Sequence, residues 1–523
     1  MTNRAPTRPA DGAATVTLDT DPIALAGASK DAAHLGSTPF AVARPRTEAD
    51  LAHLLTLGRP VLAVGAQSSL TGGASASGQI IARMDHFTGL TLHEDGTVTA
   101  GAGVPLTDLL AFLHDHGRDY PATPTWLGAT VGGVTANNAA GAATFKYGPT
   151  RAWVQGLTVV LADGDVLDLQ RGQVSADHDS FLIDGPGGAR HVPLPAYRTP
   201  DLPKIAGGYH ARPHMDLVDL FIGAEGTLGI ITQVRLRTLP KRATFTLWLP
   251  LRDETAALAL TGALRDASRA TWASGDPNGL DVAAVESLDA RCLQLLREDG
   301  HTRHVPARAG YALIVQLDVP PASREAYAAA LDAAFDDDAP DHPLTRLVHL
   351  LLEHDAFDDA QIALPGDPFA ADLLRLREAV PEGANRRVGE AGATKVGGDT
   401  IVPFDRLPEW LAFVRAGFAE QGLDVLIWGH LSDGNLHPNL LPRGPQDVPV
   451  AYELMQAAAH KATELGGAPL SEHGVGKHKV KQALLRAFYG DAAIDDMRAI
   501  KRALDPRGLL APGNLFPAQD TPA

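Results

Sequence analysis

Three glycine-rich segments, each beside an apolar run, constrain the fold of this chain more than any other feature. They are GAQSSLTGGA (65–74), LGATVGGVTANNAAGA (127–142) and FIGAEGTLGI (221–230). One such segment would be weak, because a chain with 52 glycines has many ordinary turns. Three of them, each next to a predicted strand, indicate loops whose backbone N–H groups bind one long polyphosphate ligand. A dinucleotide would fit such a site.

Two familiar nucleotide motifs are absent from these segments. The first segment lacks the lysine of GxxxxGK[ST], so it is not the phosphate loop of an ATPase. GAGVPL (101–106) imitates GxGxxG, but Leu106 replaces the last glycine. We therefore do not interpret it as a nicotinamide-binding motif.

The residues around the first segment predict an alternation of strand, helix and strand. An apolar run at 39–45 precedes a helix over 47–58, with Thr47 as its N-cap and Gly58 after its end. The next strand covers 60–65 and leads into the first glycine-rich segment. This order is typical of an α/β unit whose ligand binds at the turn after the second strand.

The length and the changes in composition predict several domains. A chain of 523 residues exceeds one ordinary core. Composition shifts after Pro240, where helices separated by Asp/Pro-rich loops begin, and residues 450–466 and 478–503 are predicted to be helical. We predict a flexible tail at 1–35, a glycine-loop domain at 36–240, a second domain at 241–450 and a C-terminal helical segment at 451–523.

Charge and cysteine content exclude several classes of protein. The net charge of −17 disfavours nucleic acid and anionic membrane as main partners. The single cysteine, Cys292, excludes a disulfide framework and a cysteine-ligated iron–sulfur cluster within the chain, so any metal needs His, Asp and Glu ligands. No apolar run of about 18 residues and no signal peptide are visible. We expect a cytoplasmic protein, with peripheral contact at the inner face of the membrane as the alternative.

The stretch WGHLSDGNLHPNL (428–440) predicts a β-hairpin with a histidine on each arm. With Asp433-Gly434 as the centre of a type I′ turn, His430 falls directly opposite His437 on one face. Their Cβ atoms would then lie about 4.5–5.5 Å apart, which suits two ligands of one Zn²⁺. Asn439 shares that face. Since the chain has 20 histidines, a purely structural pair is the alternative.

The segment SEHGVGKHK (471–479) offers the best third ligand. Glu472 supplies a charged oxygen, and the neighbouring His473 could act as a base. The sequence alone does not show whether this segment approaches the histidine hairpin.

The glycine-rich segments together resemble the FAD-binding domain of the vanillyl-alcohol oxidase / p-cresol methylhydroxylase superfamily. GHLSDGNLHPN and EHGVGKHK resemble its branch of D-lactate dehydrogenases, glycolate oxidase FAD subunits and D-2-hydroxyglutarate dehydrogenases. The motifs occur in the expected order. The resemblance implies an α+β fold: a two-lobed FAD-binding domain, an α/β substrate (cap) domain with an antiparallel sheet, and a C-terminal helical segment that returns to the FAD domain.

The resemblance also implies the residues of the site. His430, His437 and Glu472 would bind a divalent metal, zinc in the first place and manganese as the alternative. His473 would be the catalytic base, and Asn439 would contact the substrate. Arg377, in LRLREAVPEG, would bind the substrate carboxylate through a bidentate pair, unless it is only a surface charge of a helix. Non-covalent FAD would contact Gly65, Gln67, Ser68, Ser69, Leu70, Thr71, Gly72, Gly73, Thr130, Gly132, Gly133, Asn137, Gly141, Glu225, Gly229, Ile230 and Asn514.

Four positions depart from the family pattern. Pro381 stands where relatives that act on diacids carry a hydroxylated residue, and Gly397 stands where they carry a lysine, with Lys395 displaced. These departures argue against D-2-hydroxyglutarate as the substrate. The family's Asn-Pro-Gly-Lys appears as residues 511–514, Ala-Pro-Gly-Asn, which predicts an altered flavin contact.

The expected activity is oxidation of a small D-2-hydroxy acid, of the D-lactate or glycolate type, to its 2-oxo acid. Hydride would pass to flavin N5, and an external acceptor (quinone, cytochrome, electron-transfer flavoprotein or oxygen) would take the electrons. We expect a homodimer. A sugar or aldonolactone oxidase, a zinc hydrolase and a non-catalytic FAD-binding module remain as alternatives.

Overall fold

The computed structural model describes residues 16–177, 179–185, 188–336 and 338–517, and the chain divides into two units. Unit 1 comprises Met1–Gly141, Gly148–Pro240 and Leu470–Ala523, and unit 2 comprises Ala142–Tyr147 and Lys241–Pro469. The second segment of unit 1 ends at Pro240, and its third segment begins at Leu470.

The strands lie in both units and are mostly short. In chain order they are β1 (Ala41–Ala43), β2 (Val61–Val64), β3 (Ile80–Arg83), β4 (Leu90–Leu92), β5 (Val98–Gly101), β6 (Arg118–Asp119), β7 (Val154–Val160), β8 (Val166–Gln170), β9 (Ser180–Ile183), β10 (Arg190–Pro193), β11 (Ile230–Leu236), β12 (Leu239–Pro240), β13 (Ala243–Leu251), β14 (Val282–Leu288), β15 (Tyr311–Val319), β16 (Gln361–Ala363), β17 (Thr400–Ile401), β18 (Asp424–His430) and β19 (Asn435–Leu441).

The longest helices belong to unit 2. In chain order the helices are α1 (Pro22–Gly27), α2 (Glu48–Thr56), α3 (Leu106–Asp115), α4 (Val131–Ala136), α5 (Thr144–Tyr147), α6 (Leu217–Phe221), α7 (Glu254–Ser274), α8 (Ala290–Glu298), α9 (Arg324–Ala333), α10 (Pro343–Glu353), α11 (Phe369–Glu390), α12 (Leu407–Glu420), α13 (Val448–Glu464), α14 (Lys479–Tyr489) and α15 (Asp491–Leu504). Across the residues that the structure describes, every helix is too short or too polar to cross a lipid bilayer.

Unit 1 contains two main sheets, as expected for the two-lobed domain that the resemblance implies. A parallel sheet has the order β1-β3-β2, and an antiparallel sheet has the order β4-β5-β11-β7-β8. The apolar side of α2 covers one face of the parallel sheet through Leu51, Leu54 and Leu55. Thr47 caps this helix, because its side chain accepts a hydrogen bond from the N–H of Asp50. The predicted N-cap is thus confirmed.

Unit 2 is built on one antiparallel sheet of seven strands in the order β16-β13-β15-β14-β18-β19-β17. Alternate residues of β13 enter two different cores, as expected for a strand covered on both faces. Phe245 and Leu247 pack with α7, α10, α12 and α13, while Trp248 packs with α8 and α11. The short segment Ala142–Tyr147 joins this unit because Lys146 pairs with Asp281 and Asp318.

Two local expectations differ from the structure. Of the predicted flexible tail, residues 1–15 lie outside the described residues, but Pro22–Gly27 form α1 and the buried Asp31 accepts from the N–H of Ala74 at 3.1 Å. The helix predicted at 478–503 is divided into α14 and α15. Gly490 lies between them with φ 84° and ψ 165°, a conformation that ends a helix.

Candidate functional site

The loop after β2 carries the first glycine-rich segment and is held by its own side chains. Ser69 Oγ accepts from the N–H groups of Thr71 and Gly73, both at 3.2 Å. Gln67 has a left-handed backbone with φ 52°, and its side-chain amide donates to the carbonyl of Ala74 at 2.9 Å. These hydrogen bonds fix the backbone conformation of the loop, whose side chains are mostly small.

The second glycine-rich segment forms the short helix α4. Thr130 caps it by accepting from the N–H of Gly133 at 3.4 Å, and the same threonine lies against Gly65, where a Cβ would come within 3.0 Å of its hydroxyl. A Cβ on Gly132 would lie 2.6 Å from that of Ala102. Glycine is thus required at both contacts, and the first two segments are neighbours.

The third glycine-rich segment lies against the end of α4. The N–H of Gly223 donates to the carbonyl of Thr135 at 3.1 Å, and the N–H of Glu225 donates to that of Ala136 at 2.8 Å. Glu225 itself adopts a left-handed backbone with φ 51°. The three segments, separated by up to about 160 residues in sequence, therefore meet in unit 1.

Two buried polar side chains join these loops to the C-terminal part of unit 1. The Glu225 carboxylate accepts from the N–H of Val475 at 2.8 Å and of Gly476 at 2.7 Å. Burial raises the pKa of Glu225 to about 7, although the two N–H groups lower it. Asn514 donates to the carbonyls of Gly73 at 2.9 Å and Glu225 at 3.1 Å.

All of the predicted cofactor residues lie in unit 1, and many of them shape these loops. At several glycines the backbone passes so close to neighbouring atoms that a Cβ would collide, as at Gly65, Gly132, Gly141 and Gly229. Such a surface presents backbone N–H groups to a ligand, which suits a pyrophosphate. The site therefore fits FAD. The side chain of Glu225 holds the 474–476 turn.

Glu472 and His473 also lie in unit 1. Lys204 Nζ donates to Glu472 Oε2 at 3.2 Å, and the other oxygen lies 3.4 Å from His473 Nε2. The hydroxyl of Thr71 donates to the backbone carbonyl of His473 at 3.4 Å, which anchors this segment to the first glycine loop. Lys204 is almost completely buried. Lys204 was not among the predicted site residues, because a single lysine in LPKIAGG has no distinguishing pattern.

The histidine hairpin forms in unit 2, but its predicted register is wrong. His430 lies opposite Asn435, and His437 lies opposite Trp428, a shift of two residues along β19. The loop therefore contains four residues, 431–434, rather than two. A shift of two keeps each side chain on its face, so the two imidazoles still meet: their ring centroids are 5.5 Å apart and the rings are perpendicular.

The backbone of the loop explains this register. A type I′ turn needs positive φ at both central residues. Of Asp433 and Gly434, only Gly434 has a positive φ, of 84°. The N–H groups of Leu431 and Ser432 both donate to the carbonyl of Val285 in β14, at 2.8 and 3.2 Å. Hydrogen bonds to a neighbouring strand thus determine the longer loop.

Glu286 connects two of the predicted site residues. One of its oxygens is hydrogen-bonded to His430 Nδ1, and the other accepts from Arg377 Nε at 2.9 Å. Burial by itself would raise the pKa of Glu286, but the charges of His430 and Arg377 lower it well below its usual value. Glu286 was not among the predicted site residues, although it is a single charge in the apolar run VAAVESL (282–288).

Asp399 and Asn439 lie beside His437. A carboxylate oxygen of Asp399 and a ring nitrogen of His437 are within 4.8 Å, and the Asn439 amide donates to the backbone carbonyl of His437 at 2.9 Å. Gly397 borders the same place, since a Cβ there would lie 2.7 Å from Asn439 Oδ1. A lysine at 397 would require Asn439 to move. Asp399 was not among the predicted ligands.

Arg377 lies on α11, and its side chain is mostly buried. Pro381 is inside this helix, where it has no N–H to donate to the carbonyl of Arg377. The helix continues to Glu390 nevertheless. His430, His437, Arg377 and Asn439 thus lie in unit 2.

The imidazole and carboxylate groups described above are of the kinds that bind a divalent metal. Zinc and manganese accept imidazole nitrogen and carboxylate oxygen. In metal sites a carboxylate commonly accepts a hydrogen bond from the second ring nitrogen of a ligating histidine. Glu286 is hydrogen-bonded to His430 Nδ1 in the same way.

Two family models match the chain. The model described as "FAD binding domain" matches residues 39–170, and the model described as "FAD linked oxidases, C-terminal domain" matches residues 251–515. Together they cover the glycine-rich segments at 65–74 and 127–142 and the histidine hairpin.

Several curated relatives are similar over almost the whole chain. A glycolate oxidase subunit GlcD of Bacillus subtilis is 28% identical, over 92% of this chain and 89% of its own length. A D-2-hydroxyglutarate dehydrogenase of Xanthomonas citri is 28% identical over 88% and 85%. A D-lactate dehydrogenase of Archaeoglobus fulgidus is 25% identical over 91% of both chains.

A solved structure shares the fold. An alkyldihydroxyacetonephosphate synthase aligns with a TM-score of 0.63 at 14% identity, covering 95% of this chain and 82% of that one. Because the identity is so low, this likeness concerns the fold alone.

Proposed function

This chain belongs to the family of FAD-linked oxidases, and from that premise we propose that it oxidises a small D-2-hydroxy acid to the 2-oxo acid. The observation that carries the proposal is that relatives named for glycolate, D-lactate and D-2-hydroxyglutarate align over nearly the whole chain. The D-lactate or glycolate type is the substrate class we favour among these.

The glycine loops support the proposed FAD, and the imidazole and carboxylate groups support the proposed metal. FAD, when bound, supplies the acceptor for hydride at N5, and a divalent metal, when bound, lowers the pKa of the substrate hydroxyl. The loops of unit 1 would bind the FAD. His430, His437 and Glu472 would bind the metal, with zinc favoured over manganese.

The remaining residues act on the substrate. Arg377 would bind the carboxylate, since a guanidinium can form a bidentate pair with it. Asn439 would orient the substrate through its amide. His473 would take the hydroxyl proton on a ring nitrogen, and help of this kind contributes about 10²–10⁴-fold to the rate. Lys204 would hold Glu472 in place through the 3.2 Å contact.

Two positions support a monocarboxylate over a diacid. Gly397 has no side chain to bind a second carboxylate, and a Cβ at that position would collide with Asn439. Pro381 has no hydroxyl. A small substrate needs neither contact.

The remaining partners follow from the reaction. A single cysteine cannot ligate an iron–sulfur cluster within the chain. We therefore propose an external electron acceptor: a quinone, a cytochrome, an electron-transfer flavoprotein or oxygen. We further propose a homodimer located in the cytoplasm, with peripheral contact at the inner membrane face as the alternative.

Anaerobic flavin reduction tests the function directly. The FAD-loaded protein is mixed without oxygen with D-lactate, L-lactate, glycolate, D-2-hydroxyglutarate and an aldonolactone, and the visible flavin band is followed. We expect rapid bleaching with D-lactate or glycolate and slow bleaching with L-lactate and D-2-hydroxyglutarate. Bleaching by the aldonolactone alone would disprove the proposal, and a colourless protein with hydrolase activity would replace it with a zinc hydrolase.

A further inference from the structure

Glu286 is a buried carboxylate whose two oxygens contact residues from two different elements. It lies in β14, a strand whose residues are all buried. His430 comes from β18, and Arg377 comes from α11. A charge in this position needs a reason, because an unpaired buried carboxylate is very unfavourable.

The strand order creates the first contact. β14 pairs antiparallel with β18, and Glu286 lies directly opposite His430. Cβ atoms of such pairs are about 4.5–5.5 Å apart, so a glutamate can reach an imidazole across the ladder. The pairing leaves this carboxylate facing Nδ1 of the ring.

Helix packing creates the second contact. Leu288, two residues after Glu286 and on the same face of the strand, packs in one core with Leu376 and Val380 of α11. Arg377 follows Leu376 in the helix and donates from Nε to the second oxygen at 2.9 Å. The carboxylate therefore joins the hairpin to the helix.

The simplest explanation for the buried Glu286 would be that its ion pair stabilises the fold, but this explanation is weak. Buried ion pairs can often be replaced by apolar residues of similar volume with little loss of stability. What an apolar pair cannot do is select which ring nitrogen of a histidine carries the proton, or orient a guanidinium.

We propose that Glu286 is a positioning residue that prepares His430 for the metal and Arg377 for the substrate carboxylate; this rests on the function proposed above. With Nδ1–H donated to Glu286, the lone pair of the ring is on Nε2, the nitrogen that then serves as ligand. With Nε engaged, Arg377 presents its Nη groups to a carboxylate. One side chain thus couples metal affinity to substrate affinity.

The test compares Glu286→Gln with Asp289→Asn in the FAD-loaded protein. Glutamine keeps the shape but cannot accept from both partners. Asp289 is a buried carboxylate just after the same strand that caps α8, a role asparagine also performs. The probe is Zn²⁺, and its affinity is measured by competition with a chelator, together with kcat and KM for D-lactate and circular dichroism.

We expect Glu286→Gln to weaken Zn²⁺ binding about 10–100-fold, as loss of a carboxylate behind a ligating histidine does, and to raise KM. Asp289→Asn should leave the Zn²⁺ affinity within about twofold of the parent. Parent-like Zn²⁺ affinity in Glu286→Gln, or no Zn²⁺ binding by the parent, overturns the proposal. If Glu286→Gln does not fold, Glu286→Asp is measured instead, because it keeps the charge on a shorter side chain. Parent-like Zn²⁺ affinity and KM in Glu286→Asp would also overturn the proposal.

The Zn²⁺ measurement separates this inference from the proposed function. It needs no oxidation of any hydroxy acid. If the parent oxidises none of the acids but Glu286→Gln still loses Zn²⁺ affinity, the function fails while the role of Glu286 towards His430 stands. If the acids are oxidised and Zn²⁺ affinity is unchanged, the function stands and the positioning role fails.

Discussion

Replacing Gly434 by alanine tests whether the four-residue loop positions the two histidines. Gly434 has φ 84°, and a Cβ at this position would come within 3.0 Å of the carbonyl oxygen of Val402. Its N–H donates to the carbonyl of His430 at 3.2 Å. A methyl group here must therefore move either β18 and β19 or the segment after β17.

The expected loss has two parts. A non-glycine residue in the left-handed region costs about 1–2 kcal/mol. Forcing an additional methyl into a close-packed contact costs a further ~1–3 kcal/mol. The sum is about 2–5 kcal/mol, and at about 2–4 °C per kcal/mol for a domain of this size it lowers the melting temperature by roughly 4–20 °C.

Gly422→Ala is the matched control. Gly422 also lies in unit 2 and has φ 61°, but nothing lies within 4 Å of a Cβ built there. This variant carries only the backbone cost, so it should lose about 1–2 kcal/mol, or roughly 2–8 °C. The difference between the variants then measures the collision with Val402.

The assays are melting followed by calorimetry, Zn²⁺ content, and flavin reduction by D-lactate. We expect Gly434→Ala to lose more stability than Gly422→Ala and to lose Zn²⁺ and activity as well, because a displacement of about 1 Å near the chemistry can cost 10²-fold. If the two variants melted at the same temperature with the same Zn²⁺ content, the steric argument for this loop would be refuted.

Three other changes test the site. His473→Ala should retain FAD, but D-lactate should reduce its flavin at least about 10²-fold more slowly than that of the parent. The nearby His478→Ala should be reduced at the parent rate. Fast reduction of His473→Ala would exclude His473 as the base. His430→Ala should lose metal and activity together, and full activity of the parent in EDTA would remove the metal from the reaction. Burial raises the pKa of Glu225 from 4.5 to about 7, so the folded protein binds a proton in this range that the unfolded chain has lost. Its contribution to stability is complete below about pH 4.5 and is lost, by up to about 3 kcal/mol, as the pH rises through about 7. Glu225→Gln should therefore flatten the pH dependence of the temperature at which FAD is released, and an unchanged slope would contradict this assignment.

Local chemistry made part of this protein predictable. Thr47 caps α2 because a hydroxyl before a helix satisfies a free N–H wherever the helix packs. The glycine-rich segments identified the FAD-binding domain because close approach of backbone requires glycine, whatever surrounds it. His430 and His437 share a face because side chains alternate along a strand. The predicted face was therefore correct even though the predicted register was wrong by two residues.

Contacts between distant segments decided the rest. The hairpin register depends on hydrogen bonds to Val285, nearly 150 residues away, and these outweighed the turn preference of Asp433-Gly434. Glu286 acquires its partners only through the order of the strands and the packing of α11. A local pattern records which conformations a segment prefers, but the free energy of burying a polar group depends on which partner the fold brings to it. For that reason the sequence could identify the loops and the imidazoles, while only the tertiary structure could show which carboxylate is hydrogen-bonded to His430.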